Sequence, residues 1–412
     1  MPSAETEART GAAEGAAPGA PAAAGPVRVL FVINQLGPGG TERSLADLIA
    51  GLEAEGVETS VACLRTTAAA FQVDARVTCP VEVLPGAGVL AKARHLRKTL
   101  RRSPPDLVHT MLFEADLVGR LAAAGTGVPV LSSLVNTSYE PVRFRDPNIS
   151  RLRLRAVQIV DAVTGRLLTT HFHALTSAVK DSAVRRLRLP PERITVVPRG
   201  RDTRRLGAPS PERRERARRA LGLEPEDEVV VNVGRQDYQK GHRYLQEAAA
   251  LLAPERPRLR VVVAGKEGRM TPELGRLLAD RRLEGTVRFL GNRSDVPEVL
   301  AAGDVFAFPS LYEGIGGAVI EAMALGLPVV CSDLPPLREV VDDGESALLV
   351  PPEDPPALAA ALARILDDPE LARRFGRRGR EAFLERFSLE RGTEEMARLY
   401  RALVHSSREA TP

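Results

Sequence analysis

The stretch at residues 304–333 constrains the fold more strongly than any other part of the chain. A short apolar run (305–308) breaks and leads into a loop that carries Glu313. A glycine-rich corner then opens an alanine-rich helix, which stops near Gly326, and Val329 begins a new apolar run. This order predicts strand, loop, helix and strand, the unit from which parallel sheets are built. Because open sheets of this kind bind ligands beyond the carboxyl ends of their strands, the Glu313 loop is a candidate site.

The length of the chain, 412 residues, favours two domains. Apolar runs that end in glycine-bearing loops recur in both halves, which predicts an α/β fold of two Rossmann-like domains with parallel sheets. We expect a disordered tail over residues 1–25, which are rich in Ala, Gly, Pro and Glu. The first domain is predicted over 26–205 and the second over 206–388, with a last amphipathic helix over 389–404.

The composition of the chain limits the cellular locations and binding partners that can be expected. No apolar run reaches the roughly 18–20 residues of a membrane span, and the three cysteines show no paired spacing, so we expect a cytoplasmic protein. Residues 26–205 carry 26 Lys and Arg against 16 Asp and Glu, a net charge of +10. This excess allows peripheral contact with the inner face of an anionic membrane, through a basic helix such as 90–102, and it fits a solvated surface equally well. Nucleic-acid binding is disfavoured, because only 4% of the residues are aromatic.

A glycine-bearing loop follows the first predicted strand, at residues 27–33. Gly39 and Gly40 lie in this loop, just before a helix predicted over 44–55. Such glycines let a ligand approach the backbone N–H groups at a helix start. Because the loop matches neither common phosphate-binding fingerprint, a tight turn without a ligand is an equal alternative.

The loop at 234–241 places two fixed positive charges between a strand end and a helix start. Arg235 offers a planar fork to phosphate oxygens and Lys240 offers a mobile point charge, so together they can neutralise a diphosphate without a metal ion. Glu313 and Glu321 complement this pair, because carboxylates accept hydrogen bonds from the hydroxyl groups of a sugar or ribose. A ligand with hydroxyls, then phosphates, then hydroxyls fits this arrangement, as in a nucleotide sugar.

Two glycines and a histidine complete the candidate residues. The amides of Gly316 and Gly317, at the start of the predicted helix, suit phosphate. His109 ends a strand predicted over 106–109, at the sheet edge where ligands bind, and fits a site residue or a structural histidine. No group of histidines or cysteines has the spacing of metal ligands, so no metal site is expected.

Several spaced motifs occur in order along residues 27 to about 404. The most specific is Glu-x7-Glu, present as Glu313-GIGGAVI-Glu321, and the supporting motifs are GPGGTER at 37–43, DLVHT at 106–110 and GR-x4-KG at 234–241. With these motifs the chain resembles the retaining GT-B-fold glycosyltransferases of family four, the glycosyltransferase group-1 type. The resemblance implies two Rossmann-like domains that face each other across a cleft, with the C-terminal helix crossing back to the first domain.

The resemblance also implies roles for single residues. Arg235 and Lys240 would hold the donor diphosphate, Glu321 would bind the ribose, and Glu313 would contact donor-sugar hydroxyls. The predicted catalytic residues are Glu313, Arg235, Lys240 and His109, the last of which would touch the donor sugar. The other predicted donor-side residues are Gly316 and Gly317 through their amides, Leu290 and Asn292 beside the base, and Gly39 and Gly40 near the phosphates and acceptor. Three departures from the family pattern, Arg199 for Asn, Ile315 for an aromatic residue and Gly317 for an aliphatic one, affect hinge contacts and sugar preference.

Together these features predict transfer of a sugar from a nucleoside-diphosphate sugar, expected to be a UDP- or GDP-sugar, to a hydroxyl group with retention of anomeric configuration. The acceptor would be a glycan, a lipid-linked sugar or a small molecule, read by loops at 67–73 and 139–151. No cofactor beyond the donor as co-substrate is expected, and no metal, since the chain contains no Asp-x-Asp. The alternatives are a sugar-nucleotide epimerase, a glycan phosphorylase, or a non-catalytic module that binds sugar nucleotides or anionic lipids.

Overall fold

The computed structural model describes residues 25–37, 39–65 and 77–409. The predicted tail lies outside these residues except for Gly25, and so does the predicted acceptor loop at 67–73. Within the described ranges the strands form two sheets, one of seven strands and one of six, and every pairing is parallel. The limits predicted for the two domains stay predictions.

The first sheet is formed by the earlier part of the chain. Its strands are β1 (Val27–Ile33), β2 (Val57–Cys63), β3 (Val81–Val83), β4 (Leu107–Met111), β5 (Val130–Leu134), β6 (His171–Ala174) and β7 (Ile194–Val196). The order across the sheet is β3-β2-β1-β4-β5-β6-β7. Successive residues of β1 pack into different hydrophobic clusters: Phe31 packs on one face of the sheet and Val32 on the other. This two-sided burial is why the strand sequence is continuously apolar rather than alternating.

The second sheet repeats this design. Its strands are β8 (Glu228–Val233), β9 (Leu259–Ala264), β10 (Val287–Phe289), β11 (Val305–Phe308), β12 (Val329–Ser332) and β13 (Ala347–Val350). The order is β10-β9-β8-β11-β12-β13, so the chain reverses its direction of travel across the sheet between β8 and β11. The first sheet has the equivalent reversal between β1 and β4. Such switch points open a crevice at the carboxyl ends of the strands.

Helices pack on both sheets. Those that follow the strands of the first sheet are α1 (Gly40–Ala54), α2 (Gly88–Arg102), α3 (Phe113–Ala123), α4 (Arg151–Leu168) and α5 (Ser177–Leu187). The remaining helices are α6 (Thr203–Leu206), α7 (Pro211–Ala220), α8 (His242–Leu252), α9 (Thr271–Asp280), α10 (Val296–Ala301), α11 (Gly317–Ala324), α12 (Pro335–Arg338), α13 (Pro355–Asp367), α14 (Pro369–Arg386) and α15 (Leu389–Glu409). In the described part of the chain, none of the helices has both the length and the apolar character that crossing a membrane requires.

Three helices differ from expectation in an informative way. α1 begins at Gly40, four residues before the predicted start, because its first turn includes the polar residues of the glycine loop. α2 buries Ala93, Leu96 and Leu100 against the first sheet, so its apolar face is that of a covering helix rather than a membrane-surface helix. α15 runs five residues past the predicted end and returns to the first sheet, where Tyr400 is fully buried beside β1.

The chain passes between the two sheets at two places that lie side by side. The Arg201 N–H donates to the Phe387 carbonyl at 2.9 Å, and the Leu389 N–H donates to the Arg201 carbonyl at 3.0 Å. These bonds join the outgoing and returning segments in a single parallel bridge between Arg201 and Ser388, which brings Arg201 to the junction between the two halves of the molecule.

Candidate functional site

The predicted loops meet where the strand order of the second sheet reverses. β8 pairs directly with β11, with Val230 opposite Val305. The 234–241 loop leaves the end of β8, and the loop carrying Glu313 leaves the end of β11. Because the two strands are parallel neighbours, both loops emerge at the same edge of the sheet.

Two of the predicted site residues, Lys240 and Glu313, form an ion pair there. Lys240 Nζ lies 2.5 Å from Glu313 Oε1 and 4.9 Å from the centre of the Phe308 ring. Glu313 is only 6% exposed, so its charge is largely removed from water and is balanced by Lys240. The structure therefore brings together two residues that are 73 positions apart in sequence.

Arg235 lies in the same loop as Lys240. Its side chain is 63% exposed and forms an ion pair with Asp237 in the same loop. Glu42, at the start of α1, is close enough for Arg235 and Arg199 to lower its pKa, although burial is the larger effect and leaves that pKa raised above its usual value. Arg235 is thus a partly solvated cation that faces the first half of the molecule.

The helix α11 supplies the second carboxylate. It begins at Gly317 after Gly316, which adopts a left-handed conformation with φ of 72°, and Glu321 is its fifth residue, about one turn in. Glu321 Oε1 accepts a hydrogen bond from Arg201 Nε at 2.8 Å. A Cβ atom at Gly317 would overlap Nη2 of Arg201, so the small residue at this position leaves room for the guanidinium.

The start of α1, in the first half of the molecule, lies near the Glu321 carboxylate. Arg201 Nη1 donates to Ser44 Oγ at 3.3 Å, which joins the first turn of α1 to the Glu321 carboxylate. Gly39 caps α1 and Gly40 begins it, and the Glu42 carboxylate lies against Gly39. The two predicted glycines therefore lie near the second-sheet residues, as a site between the two halves requires.

The Glu313 corner itself docks against the first half. The Thr137 N–H and hydroxyl both donate to the Glu313 carbonyl, at 3.3 and 3.1 Å, and the Thr176 hydroxyl donates to the Gly314 carbonyl at 3.0 Å. Close by, Glu339 accepts hydrogen bonds from the N–H groups of Ser177 (2.8 Å) and Ala178, which satisfies the start of α5. These bonds hold the two halves together around the site.

The base-side residues lie further along the sheet edge. Leu290 is half-buried just after β10, two strands from β8, and packs against the core of the second half. Asn292 is exposed two residues later. Neither side chain forms a contact that tests its predicted place beside a base, which stays a prediction.

His109 is not where the sequence placed it. β4 continues to Met111, which pairs with Ile33, so His109 lies inside the strand rather than at its end. The imidazole is fully buried: Nδ1 is 2.7 Å from the Tyr400 hydroxyl and Nε2 is 2.7 Å from Ser133 Oγ. The expectation that His109 touches a donor sugar is therefore wrong for this structure, because both ring nitrogens are bonded inside the first sheet.

Three charged residues near the site were missed from sequence: Glu42, Arg201 and Asp237. Arg201 lies two residues after the Arg199 departure, yet its carboxylate partner is 120 positions away. No local pattern signals such a pairing. Glu42 and Asp237 lie inside loops already singled out, and their carboxylates become relevant only once the fold places cations beside them.

The predicted acceptor loop at 139–151 packs against the second half in part. Arg145 forms an ion pair with Glu353 at 3.0 Å, and Arg269 Nη1 donates to the Asn148 carbonyl at 2.8 Å. In the residues that the structure covers, no three His, Cys, Asp or Glu side chains cluster in a way that would hold a metal ion. The described site thus offers Lys240 and Arg235, the start of α11 and the two glutamates to a ligand that combines anionic and hydroxyl groups.

Comparison with known proteins gives matches along most of the chain. A family model described as Glycosyltransferase Family 4 matches residues 38–205, and one described as Glycosyl transferases group 1 matches residues 213–382. Alpha-D-kanosaminyltransferase of Streptomyces kanamyceticus is 31% identical over 319 residues, which are 74% of this chain and 80% of that relative.

Solved structures share the two-sheet fold. Sucrose-phosphate synthase from Thermosynechococcus elongatus superposes with a TM-score of 0.81 at 23% identity, over 92% of this chain and 100% of the other. The Anabaena protein HepE, solved in complex with UDP-glucose, superposes with a TM-score of 0.80 at 22% identity, over 91% of this chain and 99% of the other. At these identities the likeness concerns the fold alone.

Proposed function

The chain belongs to the glycosyltransferases of the group 1 and family 4 type and has their GT-B fold, and on this premise we propose that it moves a sugar from a nucleoside-diphosphate sugar to a hydroxyl group with retention of anomeric configuration. The expected donor is a UDP- or GDP-sugar. HepE, which shares the fold, was solved with UDP-glucose, a nucleotide sugar of this kind. The acceptor would belong to the synthesis of a glycan, polysaccharide or glycolipid.

One observation carries the proposal: the Lys240–Glu313 pair lies at the switch point of the second sheet, and the loop that carries Lys240 also carries the exposed Arg235. A bound diphosphate would add two negative charges next to Lys240 and the start of α11, and the exposed Arg235 can swing toward them. Glu313 would then be free to accept hydrogen bonds from sugar hydroxyls, while Glu321 reaches the ribose.

In this mechanism the bond between the anomeric carbon and the phosphate oxygen breaks while the acceptor oxygen bonds to the same face of the carbon. The acceptor proton passes to an oxygen of the leaving phosphate. Lys240 and Arg235 stabilise the negative charge that grows on that phosphate, so no metal ion is required. The protein would act in the cytoplasm on donors made there.

The competing functions predict different products. An epimerase would release an altered sugar nucleotide, and a phosphorylase would need inorganic phosphate as the acceptor. A non-catalytic module would bind the donor and leave it intact.

The test is a binding panel of UDP-, GDP-, ADP- and dTDP-sugars in the presence of EDTA, followed by measurement of nucleoside diphosphate released when candidate acceptors are added. We expect one nucleotide class to bind with EDTA present and to be consumed only with an acceptor. Binding that needs a divalent metal would overturn the role given to Arg235 and Lys240. Binding without any turnover of donor, across glycan, lipid-linked and phosphate acceptors, would favour the non-catalytic module.

A further inference from the structure

The helix α4 (Arg151–Leu168) carries large apolar side chains on its solvent-exposed face as well as on its buried face. Its buried face holds Leu154, Gly165 and the carboxylate of Asp161. Asp161 accepts a hydrogen bond from Arg120 at 2.8 Å and another from the Tyr139 hydroxyl at 2.9 Å. The helix is therefore attached to the first half through this buried ion pair and through Leu154, which packs in a hydrophobic cluster together with Val157 and Ala162.

Five other large apolar residues of α4 face solvent. They are Leu152, Ile159, Val160, Val163 and Leu167, which are between 42% and 82% exposed. At 100° per residue these five side chains fall within an arc of about 100°, and at 1.5 Å per residue they extend about 22 Å along the helix. We call this row the α4 stripe. In the described residues it holds half of the ten large hydrophobic side chains that are exposed.

Arginines border the α4 stripe on both sides. Arg151, Arg153, Arg155 and Arg166 are exposed, and the one acid of the helix, Asp161, is buried on the opposite face. Within the residues that the structure describes, none of these four arginines pairs with a carboxylate. The surface thus combines a continuous apolar row with an unbalanced positive charge.

We infer that the α4 stripe is a membrane-docking surface that lies flat on an anionic lipid bilayer. Its leucines, isoleucine and valines would enter the boundary between headgroups and acyl chains, and the flanking arginines would contact lipid phosphates. Contiguous exposed apolar rows of this kind are rare on proteins that remain in water. A second copy of the chain is a poor occupant, because two such faces would bring eight arginines together with no acid between them.

This assignment differs from the one expected from sequence. The basic helix α2 was the candidate for a membrane surface, but its apolar residues Leu96 and Leu100 are buried against the sheet. By contrast, α4 presents both requirements, apolar area and positive charge, on the same exposed face. The inference concerns where the protein docks and is independent of the proposed transfer reaction, since the lipid surface need not be the acceptor.

The test uses the full chain and sedimentation with vesicles. We expect binding to vesicles that contain phosphatidylglycerol, binding at least about tenfold weaker to pure phosphatidylcholine, and loss of binding at high salt. The double variant Leu152→Ser with Leu167→Ser should bind anionic vesicles at least about tenfold more weakly, because its apolar row is interrupted at both ends. The matched control is Leu251→Ser with Leu384→Ser, which removes two exposed leucines from α8 and α14 and should bind as the parent protein does.

A second double variant isolates charge. The side chains of Arg153 and Arg166 form no hydrogen bond or ion pair in the described structure, so their replacement by Gln leaves the fold intact. Each basic residue near an anionic surface strengthens binding about fivefold, and we expect the double variant to lose about 25-fold. Absence of binding by the parent protein, or equal binding by both leucine double variants, would overturn the proposal. So would a dimer that only Leu152→Ser with Leu167→Ser dissociates. Nucleotide binding, measured in parallel, should be unchanged in every variant, which separates this test from that of the transfer reaction.

Discussion

The two halves of the molecule each contain a dense group of polar side chains, and the two groups serve different ends. In the second half, Lys240, Glu313 and Arg235 lie in loops just beyond the strand ends. In the first half, His109 and Ser133 lie within strands and are bonded to each other inside the sheet. The second-half group therefore lies where a ligand can reach it, whereas the first-half group is enclosed within the sheet.

Charge distinguishes the two groups as well. Burial, together with His173 and Arg199, holds the pKa of His109 well below its usual range, and burial lowers the pKa of His173 to about 3. Both imidazoles are therefore neutral at physiological pH. The second-half group contains the Lys240–Glu313 ion pair, and Arg235 remains largely in water. We call the first-half group the buried group and the second-half group the strand-end group. The imidazole nitrogens of the buried group are already bonded without a ligand, whereas the strand-end group has an exposed cation, Arg235, that can bind an anionic ligand.

The largest predicted effect is on the rate of turnover, and it tests whether the strand-end group is catalytic. Lys240→Ala and Arg235→Ala each remove a cation that is proposed to stabilise the leaving phosphate. Loss of one preorganised group of this kind costs about 3–4 kcal/mol in the activation barrier, so we expect each variant to be slower by a factor of about 10²–10³. The measurement is the rate of nucleoside diphosphate release at saturating donor and acceptor.

Lys98→Ala serves as the matched control, because Lys98 is exposed on α2, in the other half of the molecule. It should keep the parent rate. If both site variants also keep it, the strand-end group is not catalytic and the contrast with the buried group fails. If only Lys240→Ala is slow, the carboxylate of Glu313 rather than the phosphate is the main partner of the positive charge.

The sequence predicted the second-half site better than the first-half group, for a physical reason. Glu313, Lys240 and Gly316 follow apolar runs whose ends are marked by Pro or Gly, so their places at the sheet edge can be predicted from local signals. β4 has no such mark: Thr110 and Met111 are compatible with either a strand or a loop, and the end of the strand was set two residues too early at His109. The two-domain α/β fold and the family were predicted correctly, since they rest on many short motifs.

Contacts between distant segments were not predictable. The burial of Asp161 on the inner face of α4 depends on Arg120, which lies on another helix and pairs with it. The pairing of Arg201 with Glu321 depends on how the two crossing segments meet. Periodicity reports which residues share a face of a helix, but not which face the rest of the molecule covers.

A smaller effect is expected on stability from the buried group. Tyr400→Phe removes the hydroxyl that bonds His109 Nδ1 and leaves that nitrogen without a partner in a buried place. Such a loss lowers the free energy of unfolding by about 1–3 kcal/mol. Urea denaturation should show this decrease, while turnover per folded molecule should stay at the parent value. His405→Ala, at an exposed position of the same helix, should change the free energy of unfolding by less than about 0.5 kcal/mol.

A fall in turnover per folded molecule in Tyr400→Phe, at unchanged stability, would contradict the structural role given to His109. It would mean that the buried group reaches the donor in another conformation. The buried group and the strand-end group would then both contact the donor.

The next effect is on the pH dependence of stability. Burial raises the pKa of Asp116 to about 7, with Asp161 adding to the increase and Arg120 opposing it. Because this pKa lies above that of the unfolded chain, the folded state binds more protons between about pH 4 and pH 7, and the contribution of Asp116 to stability falls as pH rises through that window. Asp116→Asn removes this loss.

The free energy of unfolding of the variant minus that of the parent should therefore increase by about 1 kcal/mol when the pH is raised from about 5 to about 6. Denaturation curves of both proteins across this range give the difference directly. A constant difference between the two proteins at all pH values would mean that Asp116 is already ionised in the folded state, so that a buried charge would lie next to Thr110 in the first sheet.

The smallest effect concerns Arg201, which joins the first half to the second-half site. Its bond to Glu321 holds one carboxylate oxygen, and the proposed contact with the ribose would use the other. In Arg201→Gln the carboxylate is less well oriented, so the dissociation constant of the best nucleoside diphosphate from the binding panel should rise about two- to fivefold. Arg201→Lys, which keeps the charge, should recover part of the loss.

The same variants can locate the contact. If Glu321 grips the ribose hydroxyls, the 2′,3′-dideoxy form of the nucleotide already lacks that contact, and Arg201→Gln should not weaken its binding further. Isothermal titration of both nucleotides against both proteins forms a closed cycle, in which only the intact ribose paired with intact Arg201 gives the extra affinity. Equal weakening of the two nucleotides would instead place Arg201 against the phosphates, as a third cation of the strand-end group.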